Sequence, residues 1–238
     1  MQYEKANATD AIQAAFGMER VVVESAHAEG RYVAHCVGPV EEYRARYVEL
    51  RDRISMLMSV KPDSADIEAL QAELDAIPME SKWDDVIDNI VVNVGKNLAL
   101  DTLFAGSSYT TVGPYMFLAG GTPASAAATD TMASKTGWTE VGSTNAPAYK
   151  YPNSGGTQVR AATSWSAAAS GSKALSSNAS FYFTSGGTVA GCGIVLGSGA
   201  VNTIDSTAGT LYSVGAFSGG SKTVAAGDTL SVSYTASL

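Results

Sequence analysis

The sequence predicts a mainly β protein that carries an α-helical insertion. Eight short segments after residue 107 are rich in β-branched and aromatic residues and are separated by double glycines, which is typical of strands joined by turns. Between residues 41 and 80, apolar residues instead recur every three or four positions, as they do in amphipathic helices. The C-terminal part therefore predicts an antiparallel β-sandwich or jelly roll.

The density of charged residues also changes near residue 107, where the predicted strands of the sandwich begin. Residues 1–106 contain 10 Lys and Arg and 19 Asp and Glu, whereas residues 107–238 contain 5 and 4. We therefore predict an acidic strand-and-helix segment at 1–106 and a jelly-roll β-sandwich domain at 107–238. The net charge of -8 argues against a nucleic acid partner, because phosphate binding requires clustered Lys and Arg. The longest apolar stretches are far shorter than the roughly 20 residues that span a bilayer, so no membrane partner is predicted.

The first 40 residues predict a short helix and a β-hairpin. Thr9 or Asp10 can cap a helix over "AIQAAF" that ends at Gly17. The runs "ERVVVES" and "RYVAHCV" flank the glycine-containing turn "AHAEG", as the two strands of a hairpin do. The amino terminus has no basic start followed by an apolar run, so no secretory signal is predicted.

Residues 41–80 predict an antiparallel helical hairpin. The apolar stripe of its first helix consists of Tyr43, Tyr47, Leu50, Ile54 and Leu57, and that of its second helix consists of Ile67, Leu70, Leu74 and Ile77. Because only "SVKP" separates the helices, the two stripes are expected to face each other. The flanking stretches "GRYVAHCVGP" and "KWDDVIDNIVVN" are both strand-like, so we predict that the hairpin is inserted between two strands of a small β element.

The stretch "DNIVVNVGKNLALDTLFAGSS", residues 88–108, predicts a strand, a turn and a short helix. A phosphate-binding loop would need several glycines and a Ser or Thr after its lysine, but this stretch has only Gly95 before Lys96 and places Asn97 after it. We therefore interpret it as a structural joint in which Asn97 caps the helix and Gly106 ends it. The inward-facing side chains are predicted to be Leu100, Leu103 and Phe104.

The segment 107–238 contains the eight predicted strands. They are "PYMFLAG", "GWTEV", "AYKY", "QVRAATSW", "SFYFT", "VAGCGIVLG", "TLYSVGAF" and "TLSVSYTAS". Alternation of Phe181 with Phe183, and of Leu230 with Val232 and Tyr234, predicts strands with one buried and one solvent-facing side.

Histidine and cysteine give little indication of a metal or catalytic site. His27 and His35 lie eight residues apart without Cys or carboxylate at ligand spacing, so ordinary surface histidines are expected. Cys36 and Cys192 predict two buried thiols rather than a disulfide, in a soluble protein made in a reducing cytoplasm. We predict no catalytic, cofactor-binding or metal-binding residues, no cofactor and no enzymatic activity.

The carboxylates are predicted to be structural. Neighbouring Asp84 and Asp85 point to opposite faces of a strand, so at most one of them can line a site. The sandwich acids, expected in turns, are Asp130, Glu140, Asp205 and Asp228. Of these, Asp228 is expected to bond nearby backbone N–H groups.

The aromatic residues leave two alternatives open. Trp83, Trp138 and Trp165, with eleven tyrosines, are expected to fill mostly the core, because a small sandwich needs large apolar side chains. They could alternatively form a stacking or sugar-binding surface.

Two stretches resemble virion proteins of tailed bacteriophages. The first is "WDDVIDNIVVNVGKNLALDTLFAGSSYT", in which a strand precedes a short helix and a tyrosine that opens a β domain. The second is the distal half, ending in "LYSVGAFSGGSKTVAAGDTLSVSYT", which resembles the last strands of a phage jelly roll. The resemblance covers roughly residues 83–238 and does not include the helical hairpin.

The resemblance implies a structural role in the virion. The first hypothesis is a capsid decoration (cement) protein on the particle exterior, whose partners are the major capsid protein and copies of itself. The alternative is a tail-fibre or receptor-binding protein that recognises a host surface glycan. An enzyme such as a depolymerase is disfavoured because no coherent group of catalytic residues was found in the sequence.

Overall fold

The computed structural model describes residues 28–103, 112–142 and 144–237 of the chain. Its α-helices are α1 (Arg44–Val60), α2 (Ala65–Asp75) and α3 (Asn93–Leu103). Its strands are β1 (Glu29–Pro39), β2 (Met79–Asp88), β3 (Ile90–Val91), β4 (Tyr115–Gly121), β5 (Trp138–Glu140), β6 (Tyr149–Lys150), β7 (Ala161–Ala162), β8 (Ser172–Ala174), β9 (Ala179–Phe183), β10 (Gly187–Val189), β11 (Gly191–Leu196), β12 (Thr210–Ala216), β13 (Lys222–Val224) and β14 (Thr229–Ser237).

Two six-stranded antiparallel sheets form the body of the fold. The first sheet has the order β2-β1-β14-β9-β6, and β8 also pairs with β14. The second sheet has the order β3-β12-β11-β4-β5, and β7 also pairs with β4. Strands β10 and β13 pair separately. The predicted mainly β fold with a helical insertion is confirmed, and each of the eight predicted strand segments contains a strand.

The core lies between the two sheets. Tyr32 and Phe181 of the first sheet share one buried cluster with Met116 and Ile194 of the second. The predicted alternation holds on the inner face, because Phe181, Phe183, Leu230, Val232 and Tyr234 are fully buried. This is the arrangement of a β-sandwich, in which the two inner faces interdigitate.

Strands from both predicted segments share the first sheet. Strand β1 pairs with β14 from Glu29 opposite Ser237 to Val37 opposite Thr229, and with β2 on its other side. The change of composition at residues 106/107 therefore does not separate two sheets, contrary to the prediction of a separate small β element. Ladder pairing uses backbone groups, so a strand of the charged segment can pair with a strand of the nearly uncharged segment.

The helical hairpin is inserted between β1 and β2, as predicted. Pro39 is paired with Met79, and the N–H of Val40 donates to the carbonyl of Pro78 at 3.0 Å. The buried stripe residues are Tyr47, Leu50, Ile54, Leu70, Leu74 and Ile77, with Leu57 and Ile67 packed beside them. The prediction is wrong for Tyr43, which precedes α1 and is 40% exposed.

The joint after β3 differs from its prediction. Helix α3 begins at Asn93, so Gly95, Lys96 and Asn97 lie within the helix and Asn97 is not its cap. The N–H of Lys96 donates to the carbonyl of Val92 at 3.0 Å, which shows that the helical turn starts directly after the strand. Leu100 is 53% exposed rather than buried.

Some sequence predictions lie outside the described residues. These are the first helix near Gly17, the strand "ERVVVES", His27, Phe104 and Gly106, together with the side chain of Leu103. The predicted partner strand "RYVAHCV" forms part of β1.

Candidate functional site

The residues considered for metal or acid–base chemistry do not form one site. His35 on β1 lies opposite Asp84 on β2, and its Nδ1 bonds the Asp84 carboxylate at an exposed position. Cys36 and Cys192 are buried and unpaired, as predicted. Among the residues that the structure describes, no group of three or more His, Cys, Asp or Glu side chains is placed to hold a metal ion.

Asp85 is on the opposite face of β2 from the exposed Asp84, as predicted, and it is buried. Its carboxylate accepts hydrogen bonds from the Ser218 hydroxyl at 2.6 Å and the Gly219 N–H at 3.1 Å, and it pairs with Lys222 Nζ at 2.7 Å. Burial by itself would raise the pKa of Asp85, but these bonds outweigh it and hold that pKa well below its usual range. The group fixes β2 to the loop before β13.

Glu140 lies in β5 rather than in a turn, and it forms a fully buried ion pair with Arg160. Arg160 donates from Nε and Nη2 to the two Glu140 carboxylate oxygens at 2.8 and 2.7 Å. Its remaining donors reach the carbonyls of Val201 and Ser206. The N–H of Asp205 donates to the same carboxylate at 3.1 Å. This pair joins strand β5 to the residue before β7 and to the loop between β11 and β12. Sequence reasoning missed it because Arg160 lies in an ordinary strand-like stretch.

The three tryptophans do not form one surface. Trp138 is 2% exposed and donates from Nε1 to Asp130 at 2.8 Å, so it belongs to the core. Trp83 lies on β2, and its Nε1 donates to the carbonyl of Thr223. Trp165 packs edge-on against Tyr234 and is half-buried.

The base of the helical hairpin is bonded to the sandwich through Arg44. Its Nη1 donates to the carboxylate of Asp228 and to the carbonyl of Ala226, both at 2.8 Å. The Asp228 side chain also accepts the N–H of Ala225 at 2.9 Å, which confirms its predicted turn-fixing role. The contact to Arg44 was not predicted, because the two residues are 184 positions apart.

The hairpin also covers the outer face of the first sheet. Tyr182 alternates with two core phenylalanines and would face solvent in a bare sandwich, but it is only 5% exposed because it packs with Tyr47, Leu50 and Ile54. This burial raises the pKa of Tyr182 to about 12. The guanidinium of Arg51 lies 6.0 Å from the centre of its ring. The hairpin is therefore held on the sandwich by both an ion pair and apolar packing.

The far end of α1 exposes apolar side chains. Met56, Met58 and Val60 are 61%, 59% and 79% exposed, and we call these three residues the hairpin tip. They lie 12 to 16 residues beyond Arg44, which corresponds to roughly 18–24 Å along a helix axis. Met56 and Val60 are four positions apart and share one side of α1, whereas Met58 lies on another side, where it lines a groove with Pro152. Several large apolar side chains exposed at one end of a helix are typical of a contact region.

The hairpin as a whole is acidic, whereas residues 53–66 around its tip contain Arg53 and Lys61 against Asp63 and Asp66 and are neutral. Residues 41–77 contain 5 Lys and Arg and 9 Asp and Glu, a net charge of -4. Apart from the pair of Arg44 with Asp228, the ion pairs described on α1 involve exposed side chains, such as Arg46 with Glu73 and with Glu49. These contacts shape the surface but contribute little stability.

A second candidate surface is an apolar cleft of about 470 Å³ at one end of the sandwich. Its walls include Pro114, Trp165, Lys173, Leu196, Tyr212 and Ala236, and we call it the sandwich cleft. The Nε1 of Trp165 is already bonded to Thr163 at 2.9 Å, so the tryptophan offers its apolar ring rather than its donor. Its volume is in the range that binds a small ligand or a few protein side chains.

The described helices include none that is both long and apolar enough to cross a membrane. Comparison of the chain with protein families, with curated proteins and with solved structures finds no match. The functional conclusion therefore depends on the chain's own residues.

Proposed function

We propose that this chain is a structural component of a bacteriophage virion, most specifically a capsid decoration protein. In this proposal a jelly-roll sandwich lies on the outside of the head, and the helical hairpin makes the contacts that keep it there. Its partners are the major capsid protein and further copies of the same chain. The observation that carries the proposal is the helical hairpin, anchored at its base by Arg44 and exposing Met56, Met58 and Val60 at its far end.

This arrangement suits a docking element for a physical reason. The base is fixed by a charged hydrogen bond and by packing on Tyr182, so little conformational entropy would be lost when the tip binds. The tip itself presents flexible methionines, which adapt to an irregular partner surface. The resemblance of residues 83–238 to phage virion proteins supports the choice of particle.

A second candidate function is glycan recognition by a tail-fibre type protein. The sandwich cleft favours it, because Trp165 and Tyr212 line the cleft and aromatic faces can stack on sugars. On this alternative the hairpin would attach the protein to the tail, and the cleft would bind a host surface glycan.

The decoration proposal is tested with purified protein and phage heads stripped of their outer proteins. We expect the protein to rebind the heads at a high copy number and to raise the temperature at which they rupture. Binding to host cells or lipopolysaccharide with no binding to heads would instead support the glycan-binding candidate and contradict decoration.

The role of the hairpin is tested by excising residues 41–77. Val40 and Pro78 are hydrogen-bonded, so two glycines can join them without disturbing β1 or β2. Removing the hairpin uncovers Tyr182 and leaves Asp228 without Arg44, so the variant also carries Tyr182→Ser and Asp228→Asn.

We expect this variant to keep the circular dichroism of a folded sandwich and to bind heads at least about tenfold more weakly, a loss of about 1.4 kcal/mol. The control is Lys96→Ala on α3, which is exposed and lies outside the hairpin, and it should bind normally. Unchanged binding by a folded deletion variant would remove the hairpin from the docking role.

A further inference from the structure

We infer that a groove between the helical hairpin and the loop 152–156 binds the carboxylate of an acidic saccharide. The groove has a volume of about 390 Å³. We call it the hairpin groove, and its lining residues are Arg51, Ile54, Ser55, Met58, Gln71, Pro152, Asn153, Ser154, Gly155 and Gly156. The inference goes beyond the proposed function, because it holds whether or not the chain decorates a head.

Arg51 is the one charged side chain among the described residues that line the hairpin groove. Its Nε and Nη2 both donate to the hydroxyl of Tyr47, at 3.2 and 3.0 Å. Its guanidinium also lies over the rings of Tyr47 and Tyr182, at 5.3 and 6.0 Å from their centres. These contacts hold the planar guanidinium in one orientation, so it loses little conformational entropy when it binds an anion.

Arg51 keeps donors for a ligand. The other hairpin arginines, Arg44, Arg46 and Arg53, each pair with a carboxylate, but Arg51 forms no ion pair with any residue that the structure describes. Its Nη1 reaches the hydroxyl of Ser154 only at 3.4 Å, a long hydrogen bond. A guanidinium has five N–H donors, so these bonds leave one on Nη1 and one on Nη2. Two such donors match the two oxygens of a carboxylate.

A second cation, Lys150 on β6, lies against the same loop. Its Nζ donates to the carbonyl of Ser154 at 3.1 Å, and it too forms no ion pair with a described residue. Arg51 and Lys150 therefore both contact Ser154, one through its hydroxyl and one through its carbonyl. This places two positive charges beside the groove, which favours an anionic ligand.

The acidic residues of the hairpin do not cancel this charge within the groove, because none of them lines it. Asp52 directly follows Arg51 and so lies about 100° further round the helix. Asp75 accepts a hydrogen bond from Nε2 of Gln71 at 2.7 Å, which satisfies part of its carboxylate. The net charge of -4 belongs to the hairpin as a whole rather than to this groove.

The other walls of the groove suit a sugar better than a peptide. The side chains of Ser55, Asn153 and Ser154 carry hydroxyl and amide groups, which can bond the hydroxyls of a sugar. Pro152 and the exposed Met58 offer apolar surface to the C–H face of a sugar ring. An extended peptide typically binds by adding to a sheet edge, but the lining residues belong to α1, α2 and a loop.

The test titrates the full chain with sugars and follows binding by NMR chemical-shift changes. The acidic probes are glucuronic acid and N-acetylneuraminic acid, and glucose is the neutral probe. A glutamate with both ends blocked supplies a carboxylate without a sugar. We expect at least one acidic sugar to bind at least about tenfold more tightly than glucose and than the blocked glutamate.

Two variants locate the site. Arg51→Gln removes the guanidinium and should weaken binding of the acidic sugar at least about tenfold. Because Arg51 also bonds Tyr47, circular dichroism checks that this variant is folded. Ser55→Glu keeps Arg51 and should weaken binding as much, because a carboxylate four positions later on the helix can pair with the guanidinium.

Two matched controls should bind the acidic sugar normally. Ser55→Gln has nearly the size of Ser55→Glu but adds no charge. Arg53→Gln removes an exposed arginine of the same helix that does not line the hairpin groove.

Three results would overturn the inference. The first is no saturable binding of either acidic sugar up to about 10 mM. The second is equally tight binding of the blocked glutamate, which would indicate an acidic peptide as the ligand. The third is binding that survives in a folded Arg51→Gln variant but is lost in Lys173→Gln, which would place the sugar in the sandwich cleft. Failure of the decoration proposal is distinct, because it is decided by binding to stripped heads.

Discussion

Replacing Arg44 with alanine should loosen the helical hairpin and destabilise the protein, whereas Arg46→Ala should not. Both arginines lie on the first turns of α1 and both pair with two carboxylates. The side chain of Arg44 is 15% exposed and that of Asp228 is 4% exposed. Arg46, in contrast, is 41% exposed and pairs with partners that are about half exposed.

The expected loss of stability depends on which groups each substitution leaves without a partner. Without Arg44, the buried Asp228 carboxylate keeps the N–H of Ala225 but loses the cation that pairs with it, and the carbonyl of Ala226 loses a donor. Hydrogen bonds to charged groups contribute about 1.5–3 kcal/mol, and breaking a fully buried pair costs about 3–5 kcal/mol. Because Arg44 is partly exposed, we expect a loss of about 2–3 kcal/mol. Exposed pairs such as those of Arg46 contribute about 0–1 kcal/mol.

Urea unfolding followed by tryptophan fluorescence measures the stability loss of Arg44→Ala and of Arg46→Ala. All three tryptophans lie in the sandwich rather than in the hairpin, so the signal reports unfolding of the sandwich. Adding Asp228→Asn to Arg44→Ala should recover part of the lost stability, because it removes the uncompensated charge. Head binding should weaken for Arg44→Ala and remain normal for Arg46→Ala. Equal losses for the two arginines, or no recovery with Asp228→Asn, would refute the anchoring role of Arg44.

Three further predictions concern the sandwich. Gly95→Ala would place a Cβ 2.7 Å from a carbonyl oxygen of β12, so thermal unfolding should show a stability loss of about 1–3 kcal/mol. Lys96→Ala, in contrast, should change stability by less than about 0.5 kcal/mol. A folded Lys96→Ala variant that loses head binding would contradict the structural interpretation of this helix. Arg160→Met leaves Glu140 buried without its cation, so urea unfolding should show a stability loss of about 3–5 kcal/mol. Adding Glu140→Gln should recover part of that loss, and full stability of the single variant would disprove the role of the pair. Asp85 has a lowered pKa in the folded state, so its stabilisation is present above the ordinary pKa of about 3.9 and declines as pH falls below it. The stability gap between wild type and Asp85→Asn should therefore be widest at pH 7 and narrow on acidification, and a gap independent of pH would exclude this linkage.

Local sequence patterns predicted the elements well wherever neighbouring residues decide the structure. The stripes of Leu50, Ile54, Leu70 and Leu74 predicted both hairpin helices, because side chains three and four positions apart share one helix face. Alternation likewise predicted the buried side of β14. The glycine-separated β-rich runs predicted most strands of the sandwich, although the short β8, β10 and β13 were missed.

Wrong predictions arose where a distant segment changed a residue's surroundings. Alternation assigns Tyr182 to the solvent side of β9, but the hairpin inserted more than 100 residues earlier covers it. Gly95 was interpreted as a turn residue, yet its small size matters because α3 packs directly on the backbone of β12. The charged N-terminal segment was expected to stand apart, but its strand β1 lies between β2 and β14.

The sequence by itself determined the mainly β class, the inserted helical hairpin and the absence of recognisable catalytic motifs. Only the tertiary structure decided which strands share a sheet, that Arg44 meets Asp228 and Arg160 meets Glu140, and that an apolar tip and an apolar cleft lie on different parts of the molecule. The reason is physical: periodicity and turn residues report the conformation of a few neighbouring residues and which face is buried. The partner that buries the face is fixed only when residues far apart in the chain pack together.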